Sequence, residues 1–171
     1  MASYKNLKSG VNISVNFEEL IDKIKKADGN INGAIMKAAK QGAQAYKTTL
    51  VNECNSSGVP ANVIEAIKTE CKSNSSGDKA KAVVGWRLDV YDKEKPSEGY
   101  KALFLNYGTP HRFTKEGGQR VQINGKWVTL GTDRGHVDGR GFITRAKKKA
   151  KSKIKRAQED ALKEILKGLE Q

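Results

Sequence analysis

The two histidines, His111 and His136, are the side chains best suited to acid–base or metal chemistry. Asp133 and Asp138 lie close to His136 along the chain, where a carboxylate can orient an imidazole or share a metal ion with it. Both histidines occur in glycine-rich segments, where an isolated histidine is usually a solvated turn residue. No nucleophile, base and orienting group form a recognisable triplet, so we expect no enzyme activity.

The two cysteines, Cys54 and Cys71, have no spacing to the histidines that is typical of a zinc site. We therefore expect neither a metal nor another cofactor. Residues 1–8 lack the apolar core of a signal peptide, and no run approaches the roughly 20 apolar residues of a membrane span. These features predict a protein of a reducing cytosol, without a disulfide and without a membrane partner.

The most basic stretch, residues 145–156, has eight lysines or arginines in twelve positions and no acid. Such a helix can neutralise phosphates, but no aromatic residue is interleaved to stack on bases. Three uses stay open: contact with nucleic acid, contact with an acidic protein, and a solvated face. The candidate basic surface consists of Arg145, Lys147, Lys148, Lys149, Lys151, Lys153, Lys155 and Arg156.

The chain has 171 residues, of which 37% are hydrophobic and 30% charged, with a net charge of +13. This length predicts a single domain, 1–171, with a core of its own. The apolar fraction is low for that length, which indicates extended arms or burial against other subunits. The positive charge suggests an acidic partner, although lysines also keep an assembly component soluble.

The N-terminal part predicts a flexible arm, residues 1–10, followed by a short strand in which Val11, Ile13 and Val15 alternate with polar residues. Asn16 is a candidate N-cap for a long helix over residues 17–52. We expect one helix with a kink at Gly29, the alternative being two collinear helices. Small residues on one face would let another backbone approach closely: Ala34, Ala38, Ala39, Gly42 and Ala45.

The middle of the chain predicts a short helix over residues 61–72 and a strand over residues 81–91. Residues 100–107 are apolar and too few for their period to distinguish helix from strand. In the loop 110–141, Asn124-Gly125 between two β-type runs predicts a hairpin over residues 119–130.

The last predicted helix covers residues 142–169. Its apolar stripe is spaced for one helix face and contains Phe142, Ala146, Ala150, Ile154, Ala157, Ala161, Ile165 and Leu169. The predicted fold class is therefore α+β. Long N-terminal and C-terminal helices pack on a small, mostly antiparallel sheet, with an added hairpin.

Two short motifs suggest a family. Asn106-Tyr107-Gly108-Thr109 closes an apolar segment, and Arg140-Gly141-Phe142 opens the long C-terminal helix. Together they resemble the gene-product-10-like tail-completion, or head–tail joining, proteins of long-tailed bacteriophages. In that family an aromatic or acidic residue precedes Gly-Thr, and an Arg-Pro-Phe-like element starts the closing helix. This chain has glycine where proline is common, and the hairpin resembles an insertion between the two motifs.

The resemblance covers most of residues 17–169 and implies a structural neck subunit of a virion, assembled in the host bacterial cytoplasm. It implies a homo-oligomeric ring, usually a hexamer, between connector or adaptor proteins and tail-tube or tail-terminator proteins, with non-specific DNA possible in the lumen. A tail terminator is an alternative within the class, and a basic nucleic-acid-binding protein is an alternative outside it. The candidate contacts with neighbours are the hairpin and Tyr107, Gly108, Thr109, Arg112, Phe113 and Trp127.

Overall fold

The computed structural model describes residues 11–14, 17–27, 29–74, 79–88, 97–111, 120–123, 125–129 and 135–171. The predicted arm, Asn16, Asn124, Arg112, Phe113 and Asp133 lie outside these ranges. The predicted α+β class is confirmed. In chain order the elements are β1 Val11–Ser14, α1 Glu18–Lys26, α2 Ile31–Ser56, α3 Ala61–Glu65, β2 Lys68–Ser73, β3 Ala80–Gly85, α4 Glu98–Tyr107, β4 Arg120–Ile123, β5 Lys126–Thr129 and α5 Phe142–Leu169. Among the helices so described, none combines the length and apolar character required to cross a bilayer.

A three-stranded antiparallel sheet has the order β1-β3-β2, with β3 in the centre. Ala82, Val83 and Val84 are consecutive apolar residues and are all buried, as expected for a central strand covered on both faces. The predicted strand over residues 81–91 is correct for its first part: β3 ends at Gly85, and residues 89–91 lie outside the described ranges. Trp86, just beyond it, is fully buried and donates from its indole Nε1 to the carbonyl of Val63 at 2.6 Å.

The predicted helix over residues 61–72 is wrong in its second half. Helix α3 ends at Glu65, and β2 pairs with the edge of β3, with Cys71 opposite Ala82. The apolar spacing within residues 61–72 suits a helix locally. However, the ladder hydrogen bonds offered by β3 satisfy the backbone of this segment as a strand, and such tertiary pairing overrides local propensity.

The predicted single helix over residues 17–52 is also wrong, because two separate helices, α1 and α2, are present. The break lies at Gly29 and Asn30. The Asn30 side chain accepts a hydrogen bond from the Gly33 amide at 2.9 Å, which caps the start of α2. The space beside Gly29 is occupied by Ile24 and by Leu169 of α5, so a side chain at this position would collide with them.

Helices α2 and α5 form the main helix pair, and the small residues of α2 permit the close approach that the sequence predicted. Gln158 of α5 lies over Gly42, where an added Cβ would be 2.9 Å from the Gln158 side chain. The same side chain donates to the carbonyl of Ser14 in β1 at 3.1 Å, which joins both helices to the sheet. The predicted bounds of α5 are confirmed. Its stripe is buried at Phe142, Ala146, Ala150 and Ala161, half-buried at Ile154, Ala157 and Ile165, and exposed at Leu169.

Candidate interaction site

The two sequence motifs meet where α4 ends and α5 begins, a region we call the α4–α5 junction (residues 105–109 and 137–143). Gly108 has φ +80° and ψ 178°, a conformation found almost only in glycine. A Cβ at Gly108 would lie 2.6 Å from the carbonyl oxygen of Val137, and one at Gly139 would lie 2.7 Å from the carbonyl carbon of Tyr107. The two backbones therefore cross at a distance that excludes side chains.

Hydrogen bonds across the junction satisfy the backbone carbonyls at the end of α4, which have no partner within the helix. Arg140 donates its amide to the carbonyl of Leu105, and Gly141 donates to that of Asn106, both at 2.9 Å. The Thr109 amide donates to Val137 at 2.9 Å, and the Val137 amide returns a bond to Thr109 Oγ1 at 3.0 Å. The amide and the hydroxyl oxygen of Thr109 thus both have partners within the chain.

Asn106 is the residue of this junction that sequence reasoning missed. Gly141, before the first turn of α5, has no side chain to cap the helix, and the Asn106 side chain from α4 does so instead. Its Oδ1 accepts from the Ile143 amide at 2.9 Å, and the residue is buried. The sequence signal that could have identified it is an asparagine directly after the apolar run 102–105. An asparagine that is buried together with such a run needs a hydrogen-bond partner, for which a helix N-terminus is suited.

Glu53, a buried carboxylate on α2, pairs with two of the eight residues of the candidate basic surface. Glu53 Oε1 accepts from Lys149 Nζ at 2.6 Å, and Oε2 accepts from Arg145 Nε at 3.0 Å. The hydrogen bond from Lys149 and then that from Arg145 lower the pKa of Glu53, because both favour its ionised form. Arg145 also donates to Ser57 Oγ at 2.6 Å, so these two cations fasten α5 to α2.

The other basic residues of α5 are exposed. Within the described part of the chain, no carboxylate lies within 4 Å of the charged groups of Lys147, Lys148, Lys151, Lys153 and Lys155. Arg156 has only a long contact, 3.8 Å, to Asp160 in the next turn. Five lysines therefore remain available to an external anion.

Two aromatic residues from the predicted contact set are exposed. Tyr107 at the end of α4 is 69% exposed, and Trp127 in β5 is 63% exposed. The predicted hairpin is confirmed by the pairing of β4 with β5 and by a φ of +77° at Gly125. Exposed aromatic side chains are enriched at protein interfaces, whereas Gly108 and Thr109 are half-buried within the junction.

A shallow apolar groove of about 350 Å³ lies on the α4 side of the junction. Its walls come from α3, α4 and the segment before α5, so the junction fixes their relative positions. The lining residues include Val63, Phe104, Leu105 and Val137. Three features are therefore available for contacts with other molecules: the exposed aromatics, this groove and the lysines of α5.

The sequence did not predict that His111 and His136 meet. Their ring centroids are 4.2 Å apart, and His136 Nε2 lies 3.1 Å from Asp138 Oδ1. Across the ranges that the structure describes, no group of three or more histidine, cysteine or acidic side chains is arranged to hold a metal ion.

Neither cysteine forms a disulfide, and Cys54 is buried in the core. Burial raises the pKa of the Cys54 thiol to about 12, because a thiolate would lose its hydration there. Cys54 therefore stays protonated at neutral pH, and its contribution is that of a small apolar core residue.

Comparisons with known proteins give no relative. No family model matches the chain, and neither the curated proteins nor the solved structures contain a match.

Proposed function

We propose that the protein is a structural subunit of a tailed-phage or phage-like particle. It forms a ring, in our proposal a hexamer, at the head–tail junction and completes or joins the tail. The observation that carries this proposal is the α4–α5 junction. The two motifs that resemble the tail-completion family are separated by a loop and a hairpin in sequence, yet they hydrogen-bond to one another directly. The two motifs therefore belong to one structural unit.

The exposed aromatics support contacts between subunits. Tyr107 lies in the junction and Trp127 on the hairpin, so they belong to separate segments of the chain. A contact between two different surfaces of identical subunits is head-to-tail, and it closes into a ring when the rotation per subunit divides a full turn. Burial of aromatic side chains also supplies much of the free energy of association.

In this proposal the ring stacks on a connector or adaptor ring on one side and on the tail tube or its terminator on the other. The protein is then a virion component assembled in the host bacterial cytoplasm. A tail-terminator role is the alternative within the class. The two roles differ in which neighbouring ring is bound.

The test is the mass of the purified protein as a function of concentration, by sedimentation and native mass spectrometry, with electron microscopy of the particles. We expect rings, or an oligomer that grows with concentration. The double variant Tyr107→Ala/Trp127→Ala should shift the mass towards monomer without lowering the melting temperature, because both side chains are largely exposed. Leu169→Ala is the control for truncation of an apolar side chain at the far end of α5; because Leu169 also packs beside Gly29, its melting temperature is measured as well. The proposal fails if the wild type stays monomeric at its highest soluble concentration and does not bind a connector or tail ring.

A second candidate, a basic nucleic-acid-binding protein, is favoured by the five exposed lysines of α5. It differs from the first in that DNA binding would be the main function and would not require a ring. A monomer that binds duplex DNA tightly at physiological salt would favour this candidate.

A further inference from the structure

Three of the exposed lysines of α5 are arranged in a row. Lys148, Lys151 and Lys155 are spaced by three and then four residues, which places them along one side of the helix. The row covers two turns, or roughly 10 Å from the rise per residue. Lys147 is exposed beside the row, whereas Lys153 follows Lys149 by four residues and lies around the helix from it. We call Lys148, Lys151 and Lys155 the lysine row.

We propose that the lysine row binds the phosphate backbone of duplex DNA without sequence preference. The structure makes this more specific than the sequence did, because it pairs Arg145 and Lys149 with Glu53 and so leaves them less able to neutralise a phosphate. Both are committed to Glu53, at 3.0 and 2.6 Å, and so contribute to the attachment of α5 to α2. The inference does not depend on ring formation.

The row is unlike an ordinary solvated helix face. Such faces usually combine acids and bases at spacings of three or four residues, as α5 itself does at Glu159, which pairs with Lys163 and also interacts electrostatically with Lys155 at the end of the row. From residue 142 to residue 158 there is no acid. Like charges such as Lys147 and Lys151 lie four residues apart, and such pairs destabilise a helix. A binding partner with the opposite charge would remove this repulsion.

DNA suits the row better than an acidic protein does. Protein interfaces depend on buried aromatic or apolar anchors and are depleted in lysine. The exposed positions of α5 between residues 144 and 156 are occupied only by lysine, arginine, serine and threonine. Lysine is a flexible point charge that neutralises phosphates but lacks the planar fork with which arginine reads guanine, so we expect no sequence preference.

The experiment measures binding of the full chain to a fluorescent duplex of arbitrary sequence by anisotropy, over a range of salt concentrations. If about three phosphates are neutralised, the logarithm of the association constant should fall with the logarithm of salt with a slope of about −2.7. This corresponds to a loss of roughly 40-fold between about 50 and 200 mM salt. The slope for Lys148→Gln/Lys151→Gln/Lys155→Gln should approach zero.

The matched control is Lys26→Gln/Lys40→Gln/Lys68→Gln. It removes the same charge from three exposed lysines on α1, α2 and β2. We expect it to keep the wild-type slope and most of the affinity. An equal loss in both triple variants would show that net charge is responsible and would overturn the proposal. Failure of the wild type to bind at low salt would do so too.

An acidic protein partner is tested with polyglutamate of the same number of charges as the duplex. The duplex should bind more tightly, and tighter binding of polyglutamate would overturn the assignment to DNA. The mass of each triple variant is measured in parallel. Because these variants keep Tyr107 and Trp127, loss of DNA binding with an unchanged oligomer separates failure of this inference from failure of the proposed ring.

Discussion

Substitution of Gly108 by alanine tests the α4–α5 junction most directly. A non-glycine residue at φ +80° and ψ 178° costs about 1–3 kcal/mol in backbone strain. The new Cβ would also lie 2.6 Å from the Val137 carbonyl oxygen. Because the backbone at Val137 would have to shift to relieve this contact, the two hydrogen bonds between Thr109 and Val137 should weaken. Each contributes about 1 kcal/mol to the free energy of unfolding. We expect a loss of about 3 kcal/mol in the free energy of unfolding.

Gly141→Ala is the control within the same junction. Gly141 also has a positive φ, +59°, but its ψ of 20° places it in the left-handed region that other residues can enter for about 1–2 kcal/mol. The nearest atom to an added Cβ is the end of the Arg145 side chain at 3.6 Å, an ordinary contact. The expected loss is therefore only about 1 kcal/mol.

The assay is urea unfolding followed by circular dichroism, together with thermal melting. For a chain of this size, 3 kcal/mol corresponds to a fall in melting temperature of roughly 6–12 °C, against a few degrees for the control. Equal stability of the two variants would refute the reasoning, since it would mean that the crossing of Gly108 and Gly139 is not maintained in solution.

Two further substitutions test polar contacts of α5. Glu53→Gln should cost about 1–2 kcal/mol at neutral pH, less than for a fully buried pair because Arg145 and Lys149 are 46% and 63% exposed. Since the folded state lowers the pKa of Glu53 below its usual 4.5, this stabilisation is present above pH 4.5 and is lost as the pH falls through the folded value. Urea titrations of both proteins should therefore converge in acid, and a constant difference would contradict this. Asn106→Ala should cost about 1–2 kcal/mol by removing the cap on Ile143, and Asn106→Leu, which fills the same space without an acceptor, should lose a similar amount; an unchanged melting temperature for Asn106→Leu would exclude a capping role.

Local sequence signals were sufficient to predict the elements whose structure depends on residues close together in the chain. The hairpin follows from Asn124-Gly125, because a tight turn between two strands needs positive φ, and Gly125 has it. The bounds of α5 follow from an apolar stripe that begins at Phe142 and ends at Leu169. The start of α2 at Ile31 was predicted only as a kink at Gly29, because the seven residues from Ile24 to Ile31 keep the helical phase of the apolar stripe and so favour a continuous helix.

The tertiary structure decided the features that depend on distant partners. Residues 68–73 are a strand because β3 offers them hydrogen bonds, although the apolar spacing from Val63 to Cys71 suits a helix. Asn106 becomes a helix cap only because the chain returns to it 37 residues later. In the same way, Glu53 lies 92 residues before Arg145 and 96 before Lys149. The sequence determined that α5 is basic, but the division of its charges between an internal ion pair and an exposed row exists only once α2 and α5 pack together.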